Sequence, residues 1–337
     1  VIPGNMYDRY KTRRRKTGIY KAVVVLACMT VLVFLGMRYE RYIAFWKYNQ
    51  SKLFKEIAAA KRETNPSRKR DMLKRFADTM DQYEIEHQTD PEAFYLSGEV
   101  HYLIGETYLP ADFSNLVIND GLSSIGRDSK REFVSAIRDI KKGIALDNAG
   151  PDDEYRVVLA KSCFYADYSS PAEIYRIIQK SGDPEKLADV ENIRFYAYIN
   201  IINKREDYGL ELLSRRGMIS DNFKGLLFYA TAEKIAKKYT RAIQSYKSVL
   251  ARTMDDKIQK LVHVNLGKIY FSQSLYRESL EQFNLALKND DRDVVPKIWI
   301  GKNYSAMGEK NKARAIWSEV LTNDGTNVEV KALLKAM

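Results

Sequence analysis

The sequence predicts an all-α protein: a solenoid of antiparallel helix hairpins preceded by a single transmembrane helix. Three observations predict it. One pattern occurs twice between Leu261 and Val320: Leu266-Gly267 with Tyr270 returns as Ile300-Gly301 with Tyr304, Ser279 as Ala313, and Phe283 as Trp317, each shifted by 34 residues. Pairs of small residues stand 12 apart at Ala160/Ala172, Ala197/Gly209, Ala230/Ala242, Gly267/Ser279 and Gly301/Ala313. Finally, Ile19 to Met37 reads IYKAVVVLACMTVLVFLGM, an apolar run interrupted by Lys21 and Thr30. Glycine (17) and proline (8) are too few for a turn-rich sheet protein of 337 residues.

The spacing has a geometric meaning. Two antiparallel helices approach closely where a small side chain sits at their crossing, and Gly267 and Gly301 supply it. Tyr270 and Phe283 then fill the space beside the crossing. One hairpin cannot bury its apolar face alone, so neighbours must stack on it. A 34-residue period, with small residues near the middle of both helices and an aromatic on each, resembles the tetratricopeptide repeat (TPR). The resemblance spans roughly Pro91 to Leu321 and is strongest in the last two repeats. The aromatic usual in the family's first helix is replaced by Cys163, Asn200 and Glu233 in three repeats, so slipped boundaries are expected there.

Taken in order, residues 1–18 form a basic tail in which Arg9, Lys11, Arg13, Arg14, Arg15 and Lys16 face the lone Asp8. Residues 19–37 span roughly 28 Å as a helix, about the hydrocarbon thickness of a bilayer. Lys21 can snorkel, and Tyr20, Tyr39 and Tyr42 offer interfacial rings. Met37-Arg38-Tyr39-Glu40-Arg41 contains no small-x-small cleavage site, which argues against a removable signal peptide. The basic flank predicts a cytoplasmic N-terminus and repeats across the membrane: in a bacterium, a single-pass inner-membrane protein with periplasmic repeats.

Residues 38–89 read as membrane-proximal helices. The first runs to Glu63 with a stripe of Tyr42, Phe45, Trp46, Leu53 and Ile57; the second follows Thr64-Asn65-Pro66-Ser67 and reaches His87. The solenoid covers 90–326, opening at Asp90-Pro91 with Gly98 as its first crossing residue. Its partner helix, Arg131 to Leu146, carries Ala136, which is 38 positions from Gly98 rather than 12. An insert at about 106–131 therefore sits inside the first hairpin. Its Tyr108, Phe113 and Leu116, with Val117 and Ile118, are too apolar for an idle linker. Either it folds back over the solenoid as a cap or it docks on a partner. Residues 327–337 form a closing helix over the last repeat.

Chemistry is sparse. Hydrophobic residues make up 45 % of the chain and its mean hydropathy is −0.42, enough for a core. The net charge of +11 is concentrated at the N-terminus, so nucleic acid is not an expected partner. Cys28 and Cys163 read as free buried thiols, and His87, His101 and His263 lack any paired metal-ligand spacing. No nucleophile-elbow, phosphate-loop or dinucleotide glycine motif occurs. The expectation is a non-enzyme with no cofactor and no metal.

In TPR proteins the first helices line a concave groove, and the residue after each crossing residue faces it. By that resemblance the groove positions are Lys161, Tyr198, Thr231, Lys268 and Lys302, with Phe164, Ile201, Lys234, Phe271 and Ser305 one turn on. Lysines interleaved with aromatics suit an extended peptide carrying carboxylates. Asn265 stands where the family's chaperone-tail clamp has an asparagine, but the clamp's basic residues are unmatched, which argues against chaperone tails. The implied function is a membrane-anchored periplasmic scaffold. It would bind other proteins, as envelope-complex subunits or further copies of itself, in a layout similar to anchored repeat proteins of the spirochaete flagellar collar. A periplasmic chaperone or secretion-associated adaptor is one alternative; an anchored import-type receptor with cytosolic repeats is the other.

Overall fold

The computed structural model describes residues 29–31, 52–184, 187, 189–215, 223–288 and 291–337, and every regular element among them is helical. The chain divides into two units, Val1–Met72 and Leu73–Met337. In the first, helix α1 (52–62) buries Leu53, Ile57 and Ala60, whose spacings of four and three put them on one helical face. The other stripe residues, Tyr42, Phe45 and Trp46, lie outside the described residues. The division falls inside α2 (Pro66–Glu86), which starts where the Asn65 side chain accepts hydrogen bonds from the Ser67 and Arg68 amides.

The second unit continues as paired helices. The pairs are α3 (Pro91–Glu106) with α5 (Arg127–Leu146), α6 (Asp153–Tyr165) with α7 (Pro171–Ile178), and α8 (Val190–Ile202) with α9 (Glu206–Arg215). They continue as α10 (Phe223–Ile235) with α11 (Tyr239–Leu250), α12 (Asp256–Ser272) with α13 (Tyr276–Ala286), and α14 (Val294–Ala306) with α15 (Lys310–Asn323). The helix α4 (Phe113–Ile118) and a 3-10 turn (Gly121–Ser124) lie inside the first pair, and α16 (Val328–Lys335) follows the last. Aspartates define several starts: Asp90, Asp189, Asp255 and Asp293 each accept from a backbone amide two residues on, satisfying a donor that the first turn leaves unpaired.

Every hairpin from α6 to α15 turns in the same way. Asp167, Lys204, Lys237, Ser274 and Gly308 have φ of 55°, 64°, 57°, 61° and 81°. Each stands seven residues after its crossing residue (Ala160, Ala197, Ala230, Gly267 and Gly301). The following amide, of Tyr168, Arg205, Lys238, Leu275 or Glu309, donates to the carbonyl of Cys163, Asn200, Glu233, Tyr270 or Tyr304 at 2.8–3.0 Å. This is a Schellman closure, in which a left-handed residue lets the chain reverse while covering orphan carbonyls. The expected slip at Cys163, Asn200 and Glu233 does not occur. Those positions contribute a backbone carbonyl to the turn, a bond that does not depend on the side chain they carry.

Close approach at the crossings follows from the small residues. A Cβ built on Gly267 would stand 2.7 Å from the Phe283 ring, and one on Gly301 would overlap the Trp317 indole. Ser279 Oγ donates to the Gly267 carbonyl at 2.9 Å, which ties α13 to α12 at the same point. At the far end Val330 of α16 joins Ile298, Ala313, Trp317 and Val320, so the closing helix completes the last pair's core.

The expected inner-membrane placement, with a cytoplasmic N-terminus and periplasmic repeats, is corrected here. Among the described residues no helix is long and apolar enough to cross a membrane. A span needs about 20 mainly apolar residues, whereas the longest described helices, α2 and α5 with 21 and 20 residues, carry charges through their length. Residues 19–37 lie outside the described residues except for Met29, Thr30 and Val31.

Candidate functional site

The insert folds back onto the first-helix face. The α5 helix begins at Arg127, so the insert is shorter than the sequence suggests, and Ser129 Oγ closes its base by donating to the Gly105 carbonyl at 2.8 Å. Asp112 caps α4 by accepting from the Asn115 amide at 3.0 Å. The α4 helix then packs against α8 and α10. Phe113 sits in a cage of rings, with centroid separations of 5.3 Å to Phe195, 5.5 Å to Tyr198 and 6.0 Å to both Phe164 and Phe228. Leu116, Val117 and Ile118 are buried beside it.

A polar network surrounds this anchor. The Ser114 amide and hydroxyl both donate to Glu191 Oε2, at 3.0 and 2.7 Å. Arg194 donates to Ser114 Oγ and to Glu191 Oε1, while Lys224 bridges Asp112 and Glu191 at 2.9 and 2.7 Å. Burial pushes the Glu191 carboxyl up, but Lys224 and the Ser114 donors outweigh it and hold it below the usual range.

Beyond α4 the chain turns at Asp120, a left-handed residue with φ 53°. Its carboxylate reaches Lys268 Nζ on α12 at 2.5 Å and Lys234 Nζ on α10 at 3.6 Å. Burial raises this carboxyl too, yet the two ammonium groups prevail and depress it. Lys234 is depressed in turn, chiefly by burial, with Asp120 opposing and Lys268 adding to the effect.

Magnitudes separate two parts of the insert. Burying the four apolar chains of α4 contributes about 6–12 kcal/mol at 1.5–3 kcal/mol each. Ordering its six residues costs about the same, at 1–2 kcal/mol per residue. The balance is tipped by the rings around Phe113, each pair worth about 0.5–1.5 kcal/mol, and by the Glu191 network. By contrast, the 3-10 turn buries no residue, and half-exposed Asp120 offers ion pairs of the kind worth about 0–1 kcal/mol. The α4 helix is firmly seated; the turn is lightly held.

Farther along the face, α12 and α14 present an aromatic strip between lysines. Trp299 lies 5.3 Å from Phe271, edge to face, and stacks on Phe283 at 5.8 Å. Lys302 Nζ stands 4.3 Å from the Trp299 ring centroid, and Lys268 Nζ 5.7 Å. Lys302 also donates to Glu329 of α16 at 2.7 Å.

The sequence-derived positions thus divide. Phe164, Tyr198 and Lys268 meet the insert, while Phe271 and Lys302 line the strip. Phe113 and Leu116 are buried within the chain, whereas Tyr108 lies apart from them, its ring under Lys74 at 5.7 Å. Thr231 does not reach the groove: it is fully buried, donates to the Leu227 carbonyl and shares a 2.9 Å hydrogen bond with the Tyr246 hydroxyl. Lys161 is buried between helices, donating to Asn192 Oδ1 at 2.6 Å. Asn265 is buried as well and accepts from Lys234 at 2.6 Å. The sequence reading missed Phe195, Phe228 and Trp299, all two residues before a crossing residue. That shared register was the available signal.

Cys163 is free and buried, and burial pushes its thiol up, away from reactivity. His101 pairs with Glu132 and His263 with Gln282, both at 2.9 Å. Among the described residues no group of three or more His, Cys, Asp or Glu could hold a metal ion.

No family model matches the chain. A stretch of 104 residues is 28% identical to the DnaJ homolog subfamily C member 3 homolog of Dictyostelium discoideum, covering 31% of this chain and 20% of that protein. The chain therefore spans about a fifth of that relative's length. Among solved structures, MamA of AMB-1 aligns with a TM-score of 0.35 at 18% identity, over 53% of this chain and 94% of its own. PilF of Pseudomonas aeruginosa aligns with a TM-score of 0.36 at 13% identity, over 66% of this chain and 97% of its own. By its crossings, turns and stacking, the described chain is an all-α array of TPR-like helix hairpins.

Proposed function

We propose that this chain is a non-enzymatic protein–protein interaction scaffold that receives segments of other proteins on its first-helix face. The observation that supports it most is the seating of α4: an aromatic anchor enters a cage of rings while neighbouring carboxylates meet lysines on α10 and α12. The chain thus carries an example of the ligand chemistry that its own face accepts. Its α4 helix covers the stretch over α8 and α10, and beyond it Phe271 and Trp299 lie beside Lys268 and Lys302, whose ion pairs with Asp120 and Glu329 stay open to solvent. A segment placed there would set carboxylates on the lysines and an apolar side chain on Trp299.

Crosslinking in intact cells, followed by identification of attached proteins, tests the scaffold reading. A few stoichiometric neighbours are expected, and Lys268→Glu with Lys302→Glu should weaken their capture by tenfold or more, since like charges would then face the partner's acids. Capture unaffected by the paired reversal would reject this face as the docking surface.

A further inference from the structure

Resting on that scaffold reading, we infer that Asp120 and Glu329 are built-in competitors for the partner's carboxylates. Lys268 and Lys302 flank Trp299 and form a docking strip for an acidic protein segment with an aromatic or aliphatic residue between its acids. This chain's own two carboxylates occupy the lysines until such a segment displaces them.

Three features support displacement. First, the two carboxylates come from outside the hairpin array: Asp120 from the lightly held turn of the insert, and Glu329 from the first turn of the closing helix. Second, both ion pairs are reachable from solvent. Side-chain exposure is 20% for Lys268 against 49% for Asp120, and 24% for Lys302 against 55% for Glu329. An incoming carboxylate can exchange with either one by side-chain rotation, leaving α4 and α16 in place. Third, one ring serves both cations, with Lys268 and Lys302 both near Trp299. A ligand that spans the two lysines must pass over that ring, so apolar contact and charge pairing coincide. The Lys224 pair with Asp112 and Glu191 is different. There Arg194 and Ser114 back the carboxylate from buried positions, so it stays closed.

The test uses the full chain and a fluorescein-labelled synthetic peptide of alternating glutamate and tryptophan, read by anisotropy at low salt. Asp120→Asn with Glu329→Gln is expected to bind it about three- to tenfold more tightly than the unaltered chain, because two exposed competitors are gone. Glu329→Gln alone leaves the insert untouched and should give a smaller gain in the same direction. Lys268→Gln with Lys302→Gln should weaken binding at least tenfold. If neither carboxylate variant changes the affinity while the lysine variant lowers it, the competition is refuted and the scaffold face stands. Unchanged affinity in the lysine variant refutes both.

Discussion

Phe113→Ala tests whether the insert is part of the fold. The ring is 2% exposed and meets Phe164, Phe195, Tyr198 and Phe228, which belong to three first helices. Truncating such a ring costs about 3–5 kcal/mol when the surroundings cannot close around the gap. Closing this gap would require α6, α8 and α10 to move together, so the upper part of that range is expected. Because each pair in such an array touches mainly its neighbours, the loss should be local. Urea unfolding followed by circular dichroism measures the global cost, and hydrogen–deuterium exchange read by mass spectrometry locates it. Amides of α4, α8 and α10 should exchange faster, with α14 and α15 unchanged. A stability within about 0.5 kcal/mol of the unaltered chain, together with unchanged exchange across Phe113–Ile118, would show that α4 is not seated by this ring.

Four further outcomes follow from the same contacts. Gly301→Ala should cost about 1–3 kcal/mol by overpacking against the Trp317 indole. Gly308→Ala meets nothing within 4 Å but sits at φ 81°, so it should cost about 1 kcal/mol through backbone conformation. In a Trp317→Leu background the first penalty should shrink while the second persists; equal behaviour in a urea series would contradict this division. Asp120 has a folded pKa held below its unfolded value of about 3.9. Its ion pairs therefore contribute fully above that value and are lost as pH falls through the folded pKa. Protection of residues 119–125 from exchange, corrected for intrinsic rates, should fall on acidification below about pH 4, and Asp120→Asn should abolish the change. Glu84 is raised, chiefly by burial, with a Ser97 hydrogen bond opposing and Asp139 adding to the rise. Its charged form thus disfavours folding, so Glu84→Gln should raise stability at neutral pH and remove the gain the unaltered chain shows as pH drops through the raised pKa. Lower stability of this variant at both neutral and mildly acidic pH would contradict that sign.

Parts of the fold were legible because they are written locally. Gly267 and Gly301 identify the crossings since only a residue without a side chain admits Phe283 or Trp317 so closely. The left-handed turns were legible in principle as well, seven residues after each crossing. Gly308 alone among them advertises its conformation; Asp167, Lys204, Lys237 and Ser274 adopt it because the closure demands it. The looseness expected at Cys163, Asn200 and Glu233 came from weighing side chains where the backbone makes the bond.

The candidate site was less legible. Register placed Lys268, Phe271 and Lys302 on the strip but put Thr231 there too, although its hydroxyl serves the core beside Tyr246. It also passed over Trp299, whose side chain lies between two of the lysines. An apolar insert in the first hairpin was evident from Phe113 to Ile118, yet its destination was not.

By itself, the sequence determined the helical class, the hairpin period and the positions at which helices cross, because each is carried by residues of one hairpin or of two successive ones. The tertiary structure alone decided where the insert goes and which carboxylate meets which lysine. Asp120 and Lys268 are 148 residues apart. They meet because successive hairpins stack and carry α12 to the end of α4, a displacement accumulated over several crossings that no local pattern records.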